Sequence, residues 1–294
     1  MNGFDLSTIS DLYVGSTQHS AIYKGSTLIW QAGIDYSKEY LTIESLEDNN
    51  TISWGNTNMD TKTISWSTDK TTWNNVTSIQ NDTVTIATIN TGDKLYLKGS
   101  NNNYGATWGK YNNFKSIGQF NVYGNTMSLL YGDNFIDKTT FPYGSAEFYF
   151  LFYDSKIVDA SNMILPVTNV NGKSVCYSHM FENCTYLIAA PVLPATTLGY
   201  QCYNAMFKGC TSLTIAPVLP ATHIESYSYG EMFNGCTSLN YVEVYAEDLG
   251  TWDAGFDNWL RNVSPTGTFK KSANMTLFPS GASGIPSGWT VIDV

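Results

Sequence analysis

The chain has 294 residues, of which 43% are hydrophobic, 14% aromatic and only 14% charged. That is enough apolar material for a sizeable core and excludes intrinsic disorder; at roughly 150 residues per domain it predicts about two domains. Its 15 basic and 25 acidic residues leave a formal charge of −10, which argues against nucleic acid or an anionic membrane as partner, because phosphate binding needs clustered Lys and Arg. Met1 to Asp11 holds no Lys or Arg, and no apolar run follows. A secretory signal needs both, so none is predicted. No stretch approaches the roughly 20 apolar residues of a membrane helix, so no membrane insertion is expected.

Residues 1–35 hold a short repeat. Leu12-Tyr13-Val14-Gly15-Ser16-Thr17 recurs as Ile22-Tyr23-Lys24-Gly25-Ser26-Thr27, and Leu28-Ile29-Trp30 closes it. Each copy predicts a short strand ending in a Gly-Ser turn. So small a unit cannot build a core and is expected to pair with something. One reading is a strand pair attached to the next domain. The other is a β-strand anchor that adds strands to a second subunit, with Tyr13, Val14, Ile22, Tyr23 and Trp30 as its contacts. The pattern resembles N-terminal segments of phage virion proteins, which implies the anchor.

Residues 36–147 are predicted to form a small β-sandwich, Ig-like in the loose sense. Leu41 to Glu44, Thr63 to Trp66, Thr83 to Ile86 and Lys94 to Leu97 alternate apolar and polar residues. Turn signals separate them at Asp48 to Asn50, Asn81-Asp82 and Thr91 to Asp93. Ser67 to Trp73 lacks the Gly of an Asp-box and reads as a plain turn. Ser100 to Asn113 is a polar stretch studded with aromatics. Aromatic faces stack on sugars, and Asn amides bond hydroxyls in both directions. Asn102, Asn103, Tyr104, Trp108 and Tyr111 are therefore the candidate glycan contact. The alternative is an ordinary loop whose aromatics pack on the sandwich.

The rest of the chain is dominated by a second repeat. Met180-Phe181 recurs as Met206-Phe207 and Met232-Phe233, and Cys184-Thr185 as Cys210-Thr211 and Cys236-Thr237, each shifted by 26 residues. Leu193-Pro194-Ala195-Thr196 recurs as Leu219-Pro220-Ala221-Thr222. Leu151-Phe152 followed by Leu165-Pro166 is a degraded earlier copy. Within a unit, Cys202, Tyr203, Met206, Phe207 and Cys210 fall on one face of a predicted helix. Leu213 to Leu219 then reads as extended, punctuated by Pro217 and Pro220. The period lies in the leucine-rich-repeat range of about 20–29 residues, and such units bury their apolar faces by stacking. The five cysteines follow the ladder, so they read as core fillers and not as disulfides or a zinc site.

The text from Met180 to Ile224 closely resembles the BspA-like leucine-rich repeats of surface proteins from gut and oral bacteria and their phages. The stretch from Trp259-Leu260 through Gly267-Thr268-Phe269 to Gly288-Trp289-Thr290-Val291 resembles the segment that follows such repeats. The resemblance implies a solenoid over 148–246 and a C-terminal cap over 247–294, with Trp252, Phe256, Trp259 and Leu260 as a helical apolar stripe. The expected fold is thus mainly β with short helices: a strand anchor, a sandwich and a short capped solenoid.

No motif for chemistry emerges. There is no GxSxG elbow, HExxH or P-loop, and no carboxylate pair stands out as acid and base. His179 and His223 occupy repeat positions that vary between copies, as surface positions do. Asp133 and Asp137 read as a turn and not a cation site, and no cofactor is expected. A composition poor in charge and rich in Asn, Thr, Ser and Tyr is common in extracellular and virion β-proteins. The expectation is a non-enzymatic phage virion protein, tail- or fibre-associated and trimeric if a fibre. It would dock on other virion subunits by its N-terminus and recognise a host-surface glycan or protein. The competing expectation is a bacterial cell-surface adhesin.

Overall fold

The computed structural model describes residues 35–106, 109–249, 254–276 and 278–294, and the backbone of 12–14, 17–19, 21–24 and 27–31. The chain is mainly β, with one short α-helix among the described residues. It divides into two compact units, Met1–Asp35 and Tyr36–Val294.

The first unit holds two antiparallel hairpins. β1 (Leu12–Val14) pairs with β2 (Thr17–His19), and β3 (Ala21–Lys24) pairs with β4 (Thr27–Gln31). Each copy of the ten-residue repeat is thus a strand folded back on the strand that follows it. The turn residues Gly15, Ser16, Gly25 and Ser26 lie outside the described residues.

The second unit begins with two sheets. Their strands are β5 (Leu41–Ser45), β6 (Asn50–Thr57), β7 (Thr63–Ser67), β8 (Asn74–Thr77), β9 (Thr83–Ile89), β10 (Lys94–Gly99), β11 (Gly105–Ala106), β12 (Lys110–Ser116) and β13 (Phe120–Asn125). The helix α1 (Ser128–Tyr131) and β14 (Met163–Ile164) follow. One sheet has the order β14-β13-β5-β10-β7-β8, the other β11-β12-β6-β9. The four alternating segments of the sequence are β5, β7, β9 and β10. Leu41, Ile43, Leu95 and Leu97 from the first sheet share one core with Ile52, Trp54 and Phe114 from the second. β12 was not legible because Asn112 and Asn113 are both buried in it. The polar stretch 100–113 is therefore no single loop: Gly105-Ala106 form β11, and Lys110 to Asn113 begin β12.

Residues from Ala146 to Asn262 contain the repeated unit, and among the described residues here the expected helix is absent. Every fourth residue takes a left-handed backbone: Val175, His179 and Asn183 in one copy, Gln201, Ala205 and Gly209 in the next, Tyr227, Glu231 and Gly235 in the third. An α-helix needs negative φ throughout. Hydrogen bonding explains the difference. The N–H groups of Cys202, Asn204, Met206, Lys208 and Cys210 bond three residues back, to Gly199, Gln201, Tyr203, Ala205 and Phe207. Those of Gln201, Tyr203, Ala205, Phe207 and Gly209 bond forward, to carbonyls of Ser226, Ser228, Gly230, Met232 and Asn234 in the next copy. The unit is a ribbon of turns with half its donors directed to its neighbour. A non-glycine left-handed residue costs about 1–2 kcal/mol, and bonding plus burial between copies must offset it.

The side chains stack as the backbones do. Phe152, Phe181, Phe207 and Phe233 form a ladder with ring centroids 5.7, 5.5 and 5.7 Å apart, ending against Trp259 at 6.3 Å. Phe148, Tyr177, Tyr203 and Tyr229 form a second. The five cysteines are free and buried. Cys184, Cys210 and Cys236 donate Sγ–H to the carbonyls of Phe152, Phe181 and Phe207. Burial pushes the Cys184, Cys202 and Cys236 thiols up to about 12, so they stay protonated and unreactive.

Both ladders rest on the sheets. Phe114 of β12 stacks on Phe152 at 5.5 Å, and Tyr104 on Phe148 at 6.5 Å. The amides of Tyr104 and Phe114 donate to the carbonyls of Glu147 and Leu151. The sheets thereby cover one end of the stack. Towards the C-terminus the turns continue through Asn258 and Asn262, both left-handed. The expected helical stripe is therefore a further ribbon: Phe256, Trp259 and Leu260 are buried in it, while Trp252 lies outside the described residues. β15 (Tyr241–Val244), β16 (Gly267–Lys271) and β17 (Trp289–Asp293) run parallel beside it.

Candidate functional site

Two adjoining grooves lie on either side of Ser100-Asn101. The first, about 500 Å³, is lined by Asp60, Lys62, Ser100, Asn102, Asn103 and Tyr143, among others. The second, about 430 Å³, is lined by Thr63, Ser65, Asn75, Lys98 and Asp133 together with the same Ser100-Asn101.

The wall between them is fastened from below. β10 ends at Gly99, where a Cβ would stand 2.6 Å from the Tyr104 hydroxyl and 2.7 Å from the Leu129 carbonyl oxygen; only glycine permits that approach. The Tyr104 hydroxyl donates to the Leu129 carbonyl at 2.6 Å and accepts from Asn101 Nδ2 at 3.1 Å. Asn101 Nδ2 also donates to the Thr63 carbonyl at 2.8 Å. On the facing wall, buried Asn56 accepts the Met59 N–H at 2.9 Å and donates to Ser78 Oγ, which accepts the Lys62 N–H. Lys62 Nζ then reaches Asn103 Oδ1 at 3.2 Å.

The charges of the second groove are already matched. Lys98 Nζ stands 2.8 Å from Asp133 Oδ1 and 3.8 Å from the centroid of the Trp73 ring. The Tyr40 hydroxyl donates to the same carboxylate at 2.7 Å. The Lys98 hydrogen bond, then that of Tyr40, holds the Asp133 carboxyl below its usual range. Burial, then Asp133, pushes the Tyr40 hydroxyl up to about 12. Among the described residues no group of three or more His, Cys, Asp or Glu is placed to hold a metal ion.

The five residues expected to contact a glycan are not brought together. Asn102 and Asn103 line the first groove. Tyr104 does not face solvent: it is fully buried, edge-on to Trp54 at 5.6 Å, and its hydroxyl is pushed up by burial. It stands inward as a pillar of the aromatic ladder, stacked on Phe148. Tyr111 is half-buried and stacks on Phe150 at 4.5 Å. Trp108 lies outside the described residues. Sequence reasoning missed Asp60, Lys62 and Tyr143, which reach the groove from loops distant in the chain. Of the anchor residues, Tyr13 and Val14 fall in β1, Ile22 and Tyr23 in β3 and Trp30 in β4; their side chains lie outside the described set.

Elsewhere the stack presents an uncharged face. Thr185 to Gly199 and Thr211 to Thr222 contain no Lys, Arg, Asp, Glu or His, and Ile188, Val192, Ile215 and Val218 are exposed there. His179 stacks on Phe150 at 4.3 Å and its Nδ1 bonds Glu182 at 2.5 Å. His223 bonds Asp248 at the surface. Neither histidine is paired with a nucleophile. A scan against protein-family models finds no match, nor do searches of the curated proteins and of the solved structures.

Proposed function

We propose that the chain is a non-enzymatic phage virion protein, tail- or fibre-associated, with a BspA-like leucine-rich-repeat solenoid seated on an Ig-like sandwich and closed by its C-terminal segment. Its first unit docks on other virion subunits, and the surface of its second unit recognises a host-surface glycan or protein. The observation that carries this reading is the 26-residue text running from Met180 to Thr237, whose copies stack rung on rung. A stack of this kind offers a long rigid surface for recognition. A small unit of two hairpins, separate from that body, suits docking by strand addition.

Mass spectrometry of purified particles tests the assignment. Peptides of this chain at a fixed ratio to the other virion proteins support it, and deletion of residues 1–35 is expected to abolish their incorporation. Peptides released by protease shaving of bacterial cells that carry no particles would favour the adhesin instead.

A further inference from the structure

We propose that the two grooves beside Ser100-Asn101 form one continuous binding site for a neutral oligosaccharide. The inference rests on the receptor-recognition reading and names its place and its ligand class.

Size comes first. Grooves of about 500 and 430 Å³ that share a wall fall in the usual range for small-molecule sites, roughly 300–1,000 Å³ each, so together they hold more than one sugar ring. Composition comes next. Hydroxyls and amides dominate the walls: Ser100, Asn102, Thr63, Ser65 and Asn75. Each of them both donates and accepts, as a sugar hydroxyl does. An apolar ligand would find little to bury against.

Charge narrows the class. The grooves hold two carboxylates, Asp60 and Asp133, and two ammonium groups, Lys62 and Lys98. They balance, in a chain whose formal charge is −10. Lys98 and Asp133 bond each other, and Lys62 bonds Asn103. An anionic glycan finds no surplus cation here, and a cationic ligand no surplus carboxylate.

Two further features fit. Tyr143 is 54% exposed at the rim and offers a ring face for a sugar's apolar face. The Ser100–Asn103 wall is held by Asn101 and by the buried Tyr104 hydroxyl, so little ordering accompanies binding.

The test applies labelled full-length chain to an array of immobilised neutral and anionic oligosaccharides, at low and high salt, and to a panel of gut and oral bacterial cells. Binding to neutral oligosaccharides that salt leaves unchanged is expected, since no net charge is engaged. Tyr143→Ala and Asp60→Ala alter exposed side chains; each is expected to weaken binding about tenfold, a single lost stacking or hydrogen-bond contact, with melting unchanged. Val192→Ser, on the stack, is expected to leave glycan binding intact. If neutral glycans bind but both groove variants keep their affinity, the site is overturned and recognition stands. If cells bind while only anionic glycans, or none, are captured, the ligand class is overturned. If neither cells nor glycans bind, the recognition reading itself fails and takes this proposal with it.

Discussion

The two sheets and the stack of turns fill one continuous core by different uses of the backbone. In the sheets, alternation decides burial: Ile52 and Trp54 face inward while Ser53 does not, and N–H groups bond across strands. In the stack, alternate N–H groups bond within the turn or to the next copy, and rings sit on rings. The sheets accept variety, to the point of burying Asn112 and Asn113 side by side. The stack demands near-identity at each rung, because Phe207 must match both Phe181 and Phe233. Repetition in the text is a consequence of that matching.

The largest expected effect tests whether the two regions are one core. Phe207→Ala in the ladder and Trp54→Ala in the sheets each remove a fully buried ring and are expected to cost about 3–5 kcal/mol. Because Phe114 and Tyr104 join the regions, each substitution is expected to lower a single shared transition in denaturant titrations. Two separate transitions, only one of which responds, would split the core in two.

The next effect is a slope, at the seam. Glu147 is fully buried in the row that Cys176, Cys202 and Ser228 continue, and neither carboxyl oxygen has a hydrogen-bond partner of good geometry. Burial raises its pKa above the ordinary value of 4.5. A raised carboxyl pKa means the folded state binds the proton more tightly than the unfolded state. Its stability contribution is full below about 4.5 and is lost as pH rises through the folded pKa. Glu147→Gln is expected to flatten stability against pH over that window and to gain stability at neutral pH. A variant with the parent's slope would show that Glu147 does not titrate with folding.

Gln201 separates ribbon from helix by sign. Its φ of 55° is left-handed, which glycine adopts without strain. Gln201→Gly is expected to stabilise by about 1 kcal/mol, measured by thermal or denaturant melting. In the helix suggested by the spacing, the same change would destabilise by about 1 kcal/mol.

That distinction was out of reach from the sequence for a physical reason. Cys202, Met206 and Cys210 are spaced by four. Over so few residues a period of four and one of 3.6 keep the same side chains on one face. Gly209, Gly235 and Asn183 at one left-handed position of the unit were a cue, but Val175, Ala205 and Glu231 at its other two left-handed positions hid it. The repeat itself was plain, because core matching writes itself into the text. The grooves were half legible: Asn102 and Asn103 announced a polar surface, whereas Asp60 and Tyr143 arrive by loop geometry that no local pattern encodes. Tyr104 was misread because the polar residues around it concealed that its ring extends the ladder beyond Phe148.

The smallest expected effect concerns the second ladder. Tyr177, Tyr203 and Tyr229 are fully buried, and their hydroxyls have no hydrogen-bond partner of good geometry. Burial pushes all three well above their usual range. Their rings do the packing, since Tyr177 and Tyr203 stack at 5.5 Å with an interplanar angle of 11°. A buried hydroxyl without a partner costs about 1–3 kcal/mol in lost hydration, against a small gain from the space it fills. Tyr203→Phe keeps the ring and removes that group. It is therefore expected to be neutral or to stabilise by up to about 1 kcal/mol, in contrast to the loss from Phe207→Ala one turn along the same ribbon. A destabilisation of more than about 1 kcal/mol in denaturant titration would mean that the hydroxyl is bonded after all. The tyrosine ladder would then be held by polar contacts as well as by stacked rings, unlike its phenylalanine neighbour.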